Sequence, residues 1–157
     1  MDQLLTGSGS DSFKHRVSST LNRSSDYASK HMFDGTDDTC WNSDQGTPQY
    51  VLIEFPTRVQ VSRVGLMFQG GFVGQDATIQ VGDALTEGAM VTIATLETIE
   101  DSNRMQFFDL IKFPCADSAA SPVKTAGCYV KITFPTSTDF YGRVTLYMLE
   151  VWGYPMV

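Results

Sequence analysis

Positive charge is scarce in this chain of 157 residues: eleven Lys and Arg face eighteen Asp and Glu, for a net charge of −7. Binding nucleic acid in bulk needs cations that displace counterions from phosphates, so this balance argues against it. The same deficit argues against adhesion to anionic membranes by charge. No apolar run approaches the roughly 18 residues of a membrane span. Met1 to Ser12 lacks the basic start and apolar core of a secretory signal, so the chain is expected to work inside the cell, in nucleus, cytoplasm or both. Histidine is limited to His15 and His31, and the three cysteines, Cys40, Cys115 and Cys128, form no CxxC pair, which leaves no zinc spacing. An odd cysteine count without an export signal fits free thiols, although spacing permits a Cys115–Cys128 bridge. GxSxG, HExxH and P-loop motifs are missing too, and no nucleophile–base set can be assembled, so the chain is not expected to be an enzyme.

What is present is β texture. Hydrophobic residues at 42% and charged residues at 18% fit one globular domain. Residues 1–12, with Gly7-Ser8-Gly9-Ser10, read as a flexible tail, and 13–157 as the domain. Val51, Ile53 and Phe55 alternate until Pro56, which is expected to end that strand. Val59 and Val61 open another, and Val64, Leu66 and Phe68 continue it in the opposite phase, which predicts a bulge at Ser62-Arg63. Ile79 and Val81, then Met90 to Leu96, alternate again. Met105 to Ile111 is apolar on both faces, as a strand deep inside a sandwich would be. Val130, Ile132 and Phe134 alternate, and the last strand shifts phase between Val144-Leu146-Met148 and Leu149-Val151, which predicts a second bulge near Met148. Helical spacing is confined to a turn or two near Asp26 to Phe33. Short strands bounded by Gly, Pro and Asp predict an all-β fold, an antiparallel β-sandwich.

Two segments could carry chemistry. In Phe33-Asp34-Gly35-Thr36-Asp37-Asp38-Thr39-Cys40-Trp41, three carboxylates and two threonines crowd a glycine turn. Hard oxygens in a tight loop suit Ca²⁺, and the same composition also makes an ordinary Asx-type surface turn. The spacing is not that of an EF-hand, because Gly35 directly follows the first aspartate. The second segment is a set of strand-end residues: Asn42, Ser43, Asp44 and Gln45; Gln69, Gly70, Gly71 and Phe72; and Asp139, Phe140, Tyr141, Gly142 and Arg143. Strand-end loops gather at the poles of a sandwich, where binding sites are built. Phe72, Phe140 and Tyr141 would form a patch with Arg143 as a planar fork. Alternatively the two rings pack under their loop and Arg143 pairs with Asp139 or Asp44.

His31-Met32-Phe33-Asp34-Gly35-Thr36-Asp37-Asp38-Thr39-Cys40-Trp41-Asn42-Ser43 resembles the DGDxxTxWxS signature of discoidin domains, also called coagulation-factor C-type or galactose-binding-like domains. Tyr50 to Phe55, Val59 to Phe68 and Leu149-Glu150-Val151-Trp152-Gly153 resemble that family's later strands, so the likeness spans roughly residues 13 to 154. It implies a discoidin-like jelly roll of about eight strands. Val17 to Arg23, Cys40 to Gly46, Phe68 to Phe72 and Asp139 to Val144 further resemble a small intracellular discoidin-like family named for association with an orphan nuclear receptor. That resemblance implies a protein partner, a nuclear receptor, and repression of receptor-driven transcription. Calcium-binding members of the fold hold the ion between this turn and the last strand. By position, the implied ligands are the His31 carbonyl, Asp34, Asp37, Thr39 and Glu150, in a structural role. The implied partner-binding or ligand-binding residues are Asn42, Asp44, Gln45, Gln69, Phe72, Phe140, Tyr141 and Arg143. The alternative reading is a galactose-type carbohydrate-binding module, with a glycan stacked on an exposed aromatic.

Overall fold

The structure, a computed structural model, describes residues 2–7, 13–86, 88–113 and 126–156. Among these run eleven strands: β1 (Gln3–Leu4), β2 (Lys14–Val17), β3 (Trp41–Asn42), β4 (Gln49–Phe68), β5 (Gly74–Gln75), β6 (Ala77–Gly82), β7 (Met90–Leu96), β8 (Met105–Asp109), β9 (Ala126–Phe134), β10 (Thr136–Ser137) and β11 (Thr145–Pro155). Their pairings are antiparallel. The helical content expected near Asp26 to Phe33 takes the form of short 3-10 turns, Ser25–Tyr27 and Ser29–Phe33, after a first at Leu21–Arg23.

The long strand β4 organises the sandwich. Its first half, Gln49 to Glu54, pairs with β9, and within it Val51 to Glu54 also pair with β2; β6 and β7 continue that sheet beyond β9. Its second half, Val59 to Phe68, pairs with β11, and Arg63 to Met67 also pair with β8. Pro56 does not end the strand. The ladder to β9 skips from Glu54 to Val59, and the prolyl residue, which has no N–H to donate, sits in that unpaired and exposed stretch. Val51, Ile53 and Phe55 turn inward to meet Val130, Ile132, Leu66, Leu149 and Val151 in one core cluster. Phe68 and Phe134 meet edge-on there, with ring centroids 5.6 Å apart.

Both expected bulges are present. Trp152 faces Arg63 while Gly153 faces Val61, which leaves Ser62 as the extra residue. Leu146 faces Phe68 and Met148 faces Met67, which makes Tyr147 the extra residue of the other. An extra residue reverses the inward phase, which is what the alternation shows.

Two expectations give way. The Met105 to Ile111 segment is not deep in the sandwich: β8 pairs with β4 alone, and Phe107 and Ile111 are exposed. Its apolar outer residues cover neighbours instead, since Phe107 and Met105 lie over Gly65, where a Cβ would come within 2.9 Å of the Phe107 ring. Nor is the chain loose from its start. Gln3 and Leu4 pair with Gly153 and Trp152, Leu5 is buried, and Val151 N–H donates to the buried Thr6 hydroxyl at 3.2 Å. Residues 8–12 and Cys115, and with it the possible bridge to Cys128, lie outside the described residues. Cys40 and Cys128 are half-buried, and neither is bridged among the described residues.

Candidate functional site

Trp41 anchors both candidate segments. Its ring is fully buried, and its indole N–H donates to the Ser19 carbonyl at 2.9 Å. On one side lies the aspartate turn. Gly35 takes φ +77°, a left-handed conformation that favours glycine, and so lets the chain reverse over Asp34. The Asp34 carboxylate accepts from the Thr36 N–H at 3.0 Å, from the Thr36 hydroxyl at 3.2 Å and from the Thr39 hydroxyl. His31 Nδ1 lies 3.6 Å from its second oxygen. Partial burial pushes the Asp34 carboxyl up, but the hydrogen bonds from Thr39, Thr36 and His31 together outweigh it and hold the group below its ordinary value.

The turn packs against β11, as the sequence reading expects. Phe33 and Gly35 line one crevice with Thr6, Met148 and Glu150. Glu150 itself accepts from the Trp152 indole at 2.9 Å, and Asp37 is exposed. Among the described residues no three His, Cys, Asp or Glu side chains gather around a common point. The oxygens that do converge are one carboxylate and the hydroxyls of Thr36 and Thr39, the latter two 3.1 Å apart. Hard oxygens of this kind fit calcium in type, and a single carboxylate makes a weak site.

On the other side of Trp41 the three strand-end loops converge at one pole. Asp139 and Arg143 form a two-point ion pair, Nε to Oδ2 at 2.8 Å and Nη2 to Oδ1 at 3.2 Å, and the Arg143 N–H adds a third bond at 3.1 Å. The Arg143 hydrogen bonds hold the Asp139 carboxyl below its ordinary value, and Asp139 in turn holds the guanidinium charged. So fixed, the Arg143 guanidinium stacks 5.0 Å from the Phe72 ring centre and 5.6 Å from that of Tyr141. Phe140 and Tyr141 do not tuck beneath the loop: they are 92% and 56% exposed and meet edge-on at 5.2 Å.

The neighbouring loops are locked to this one. Gly46 N–H donates to the Tyr141 carbonyl at 2.8 Å. Gly142, at φ +79°, lies so close to Gly46 that a Cβ would fall 2.9 Å from its carbonyl carbon. Exposed Asp44 and Gln45 therefore sit beside Tyr141. Gln69 is tied by its own N–H to the Thr145 carbonyl at 3.0 Å. Asn42 differs from the rest: it pairs with Thr145 inside the sheet, and its buried Oδ1 has no partner among the described residues.

Sequence reasoning missed Gln49, Asp101 and Asn103, which hold the pole rigid together with Ser43, one of the strand-end residues it named. The buried Gln49 amide donates to the carbonyls of Asp44 and Gly46 at 3.2 and 2.7 Å. The buried Ser43 hydroxyl accepts from Val144 N–H at 2.8 Å. Asp101 and Asn103 accept from the N–H groups of Gly71 and Gly70 at 2.8 and 2.6 Å. Such polar residues leave no periodic signal, and only the fold brings them to their partners.

This architecture defines the class: a galactose-binding-like β-sandwich of the kind used by carbohydrate-binding modules. The chain is similar in fold to the family 32 carbohydrate-binding module of C. perfringens NanJ, solved in complex with galactose (TM-score 0.69, 16% identity, 97% of this chain and 99% of that one). It is likewise similar to chitosan-binding module 2 of a Paenibacillus sp. IK-5 chitosanase/glucanase, solved with chitotriose (TM-score 0.67, 21% identity, 89% and 95% covered). No protein-family model matches the chain. By sequence it is 42% identical over 139 residues to the nuclear receptor 2C2-associated protein of Xenopus tropicalis, covering 88% of this chain and 91% of that one. The human protein of that name is 38% identical over 143 residues, covering 88% and 89%. The chain belongs to the family of nuclear receptor 2C2-associated proteins. Among the described residues no helix is long and apolar enough to cross a membrane.

Proposed function

We propose that the chain is a non-catalytic interaction domain whose loop pole docks onto a nuclear receptor of the 2C2 type, inside the cell, and represses receptor-driven transcription. The association is supported by the relatives' name, and repression by the family resemblance in the sequence. The observation that carries the reading is the exposed Phe140–Tyr141 pair on a loop fixed by the Asp139–Arg143 ion pair and the Gly46 contact. Rigid aromatic rings ringed by satisfied polar groups are the chemistry of protein-interface hot spots, because little conformational entropy is lost when they are covered.

The test is binding of the purified chain to the ligand-binding portion of nuclear receptor 2C2. Phe140→Ala and Tyr141→Ala should each weaken it about ten-fold or more, as losing a central aromatic anchor does. Undiminished binding by both variants removes the pole as the docking surface. Galactose and chitotriose form the second arm. A glycan stacked on Phe140 beside the Arg143 fork is the competing use of the same geometry, and saturable sugar binding lost in Phe140→Ala would favour it.

We also propose a structural calcium ion, held weakly at the aspartate turn by Asp34, Thr39 and carbonyl oxygens of the His31–Asp37 segment. Glu150 accepts from the Trp152 indole through Oε1, which leaves Oε2 to join the ion. At 100 times its Kd such an ion stabilises the fold by about 2.7 kcal/mol. Melting curves in calcium and in chelator should then differ, and Asp34→Asn should erase the difference; coincident curves for the parent protein exclude the ion.

A further inference from the structure

The sheet face turned away from the core carries a second surface. Cross-strand register places Arg16 opposite Leu52, Leu52 opposite Lys131, and Lys131 opposite Gln80. The next row sets Lys14 opposite Glu54, Glu54 opposite Tyr129, and Tyr129 opposite Gly82. Directly opposed residues share a face, so these side chains stand together on the outer side of β2, β4, β9 and β6. Leu52 is only 6% exposed there, although it stands outside the core cluster. What covers it is the wall of a groove. Two adjoining hollows, about 190 and 390 Å³, share Arg16, Leu52 and Leu85 in their lining. Tyr129 lies in the first, and Tyr50, Met90 and Lys131 in the second.

Among the described residues the charges of this groove are only partly matched. Glu54 is engaged, with Lys14 Nζ at 3.9 Å and as acceptor of a hydrogen bond from the Tyr129 hydroxyl, which pushes the phenol up. Arg16 and Lys131 have no carboxylate within ion-pair distance among the described residues. Lys131 instead rests over the Tyr50 ring, 4.5 Å from its centre. Among the described residues, two cations without a carboxylate partner flank an apolar floor, in a chain with seven more acids than bases. Their backbones are separated by two strand spacings, about 10 Å. An extended peptide covers that distance in about three residues.

We infer that this groove binds an extended acidic segment of a partner protein, with an apolar side chain set on Leu52 and Leu85 and carboxylates placed on Arg16 and Lys131. It is a second contact surface, separate from the aromatic pole and independent of what the pole binds. The charge complementarity sets the orientation and the on-rate, and Leu85, 46% exposed beside the buried Leu52, supplies the apolar area to be covered.

The probe is the peptide Ser-Glu-Ser-Leu-Ser-Glu-Ser, which puts both glutamates and the leucine on one side of an extended chain. Titrated into the isotope-labelled protein, it should shift the amide signals of Arg16, Leu52, Leu85 and Lys131 saturably, and added salt should weaken it. Arg16→Gln with Lys131→Gln should lower affinity about ten-fold or more, as expected when two charge contacts are lost. Leu85→Ser, at an exposed turn position, should also weaken binding and serves if the double variant fails to fold. Phe140→Ala should bind the peptide as the parent does, which separates this groove from the pole. Absence of saturable shifts overturns the inference. So does equal binding of a peptide with lysines for glutamates, or of one with serine for leucine.

Discussion

His15 shows how much one side chain can govern. It sits on β2 between the rings of Phe13 and Phe33, with centroids 5.9 and 4.9 Å away, and its Nδ1 meets the Ser29 hydroxyl at 2.8 Å. Burial lowers its pKa below the ordinary 6.5. The unfolded chain then binds a proton more readily than the folded one, so stability is full above pH 6.5 and declines as pH falls below it. Melting temperature followed across that range should drop on the acid side, and His15→Gln should flatten the slope. Asp139 acts in the other window. Its folded pKa is depressed, chiefly by the Arg143 hydrogen bonds, so its contribution is present above 3.8 and vanishes as pH falls through the folded value. Asp139→Asn should therefore be less stable than the parent in urea melts at neutral pH, with the gap closing in acid. Trp41 closes the core next to the aspartate turn. Trp41→Ala should cost about 3–5 kcal/mol in the same melts, the usual range for emptying a buried tryptophan site. The Asp139–Arg143 pair was legible as one of two readings. The exposure of Phe140 was likewise one of two readings, because periodicity says nothing about residues in a loop.

At the scale of elements, alternation carried most of the information. The bulges at Ser62 and Tyr147 were written in the sequence as phase reversals, because one extra residue must exchange the inward and outward faces. Gly153 belongs to the first of these. A Cβ there would stand 1.8 Å from the Gln60 carbonyl oxygen, so Gly153→Ala should force β11 off β4 and lower the unfolding midpoint sharply. The residues 1–12 misled because their Gly-Ser run dominates the composition, whereas Gln3 to Thr6 dock on β11. Deleting residues 1–6 removes the buried Leu5 and unpairs the edge of β11, and should cost about 1.5–3 kcal/mol from the lost side-chain burial. The strand β8 misled for another reason. A run apolar on both faces signals two covered faces in general, and here one of them covers Gly65 rather than being covered itself.

For the whole molecule, the fold and the position of the poles follow from the pattern of short strands, whereas the use of each surface depends on which side chains tertiary structure leaves unmatched. The net charge of −7 excluded partners but gave no hint that Arg16 and Lys131 would stand side by side across β4. That grouping arises because Arg16 and Lys131, more than a hundred positions apart in sequence, both pair with Leu52. It leaves an acidic molecule with one cationic groove on a sheet face and one aromatic patch at a pole.

Both surfaces hang on β4, whose twenty residues serve the two halves of the sandwich in turn. A chain with a common spine of this kind has no severable module. Scission between Glu54 and Val59 would orphan each half from the other's ladders, so neither fragment should survive alone or be recovered as a stable proteolytic product. Evolution can therefore redecorate the loops and faces freely but cannot duplicate, swap or discard one layer.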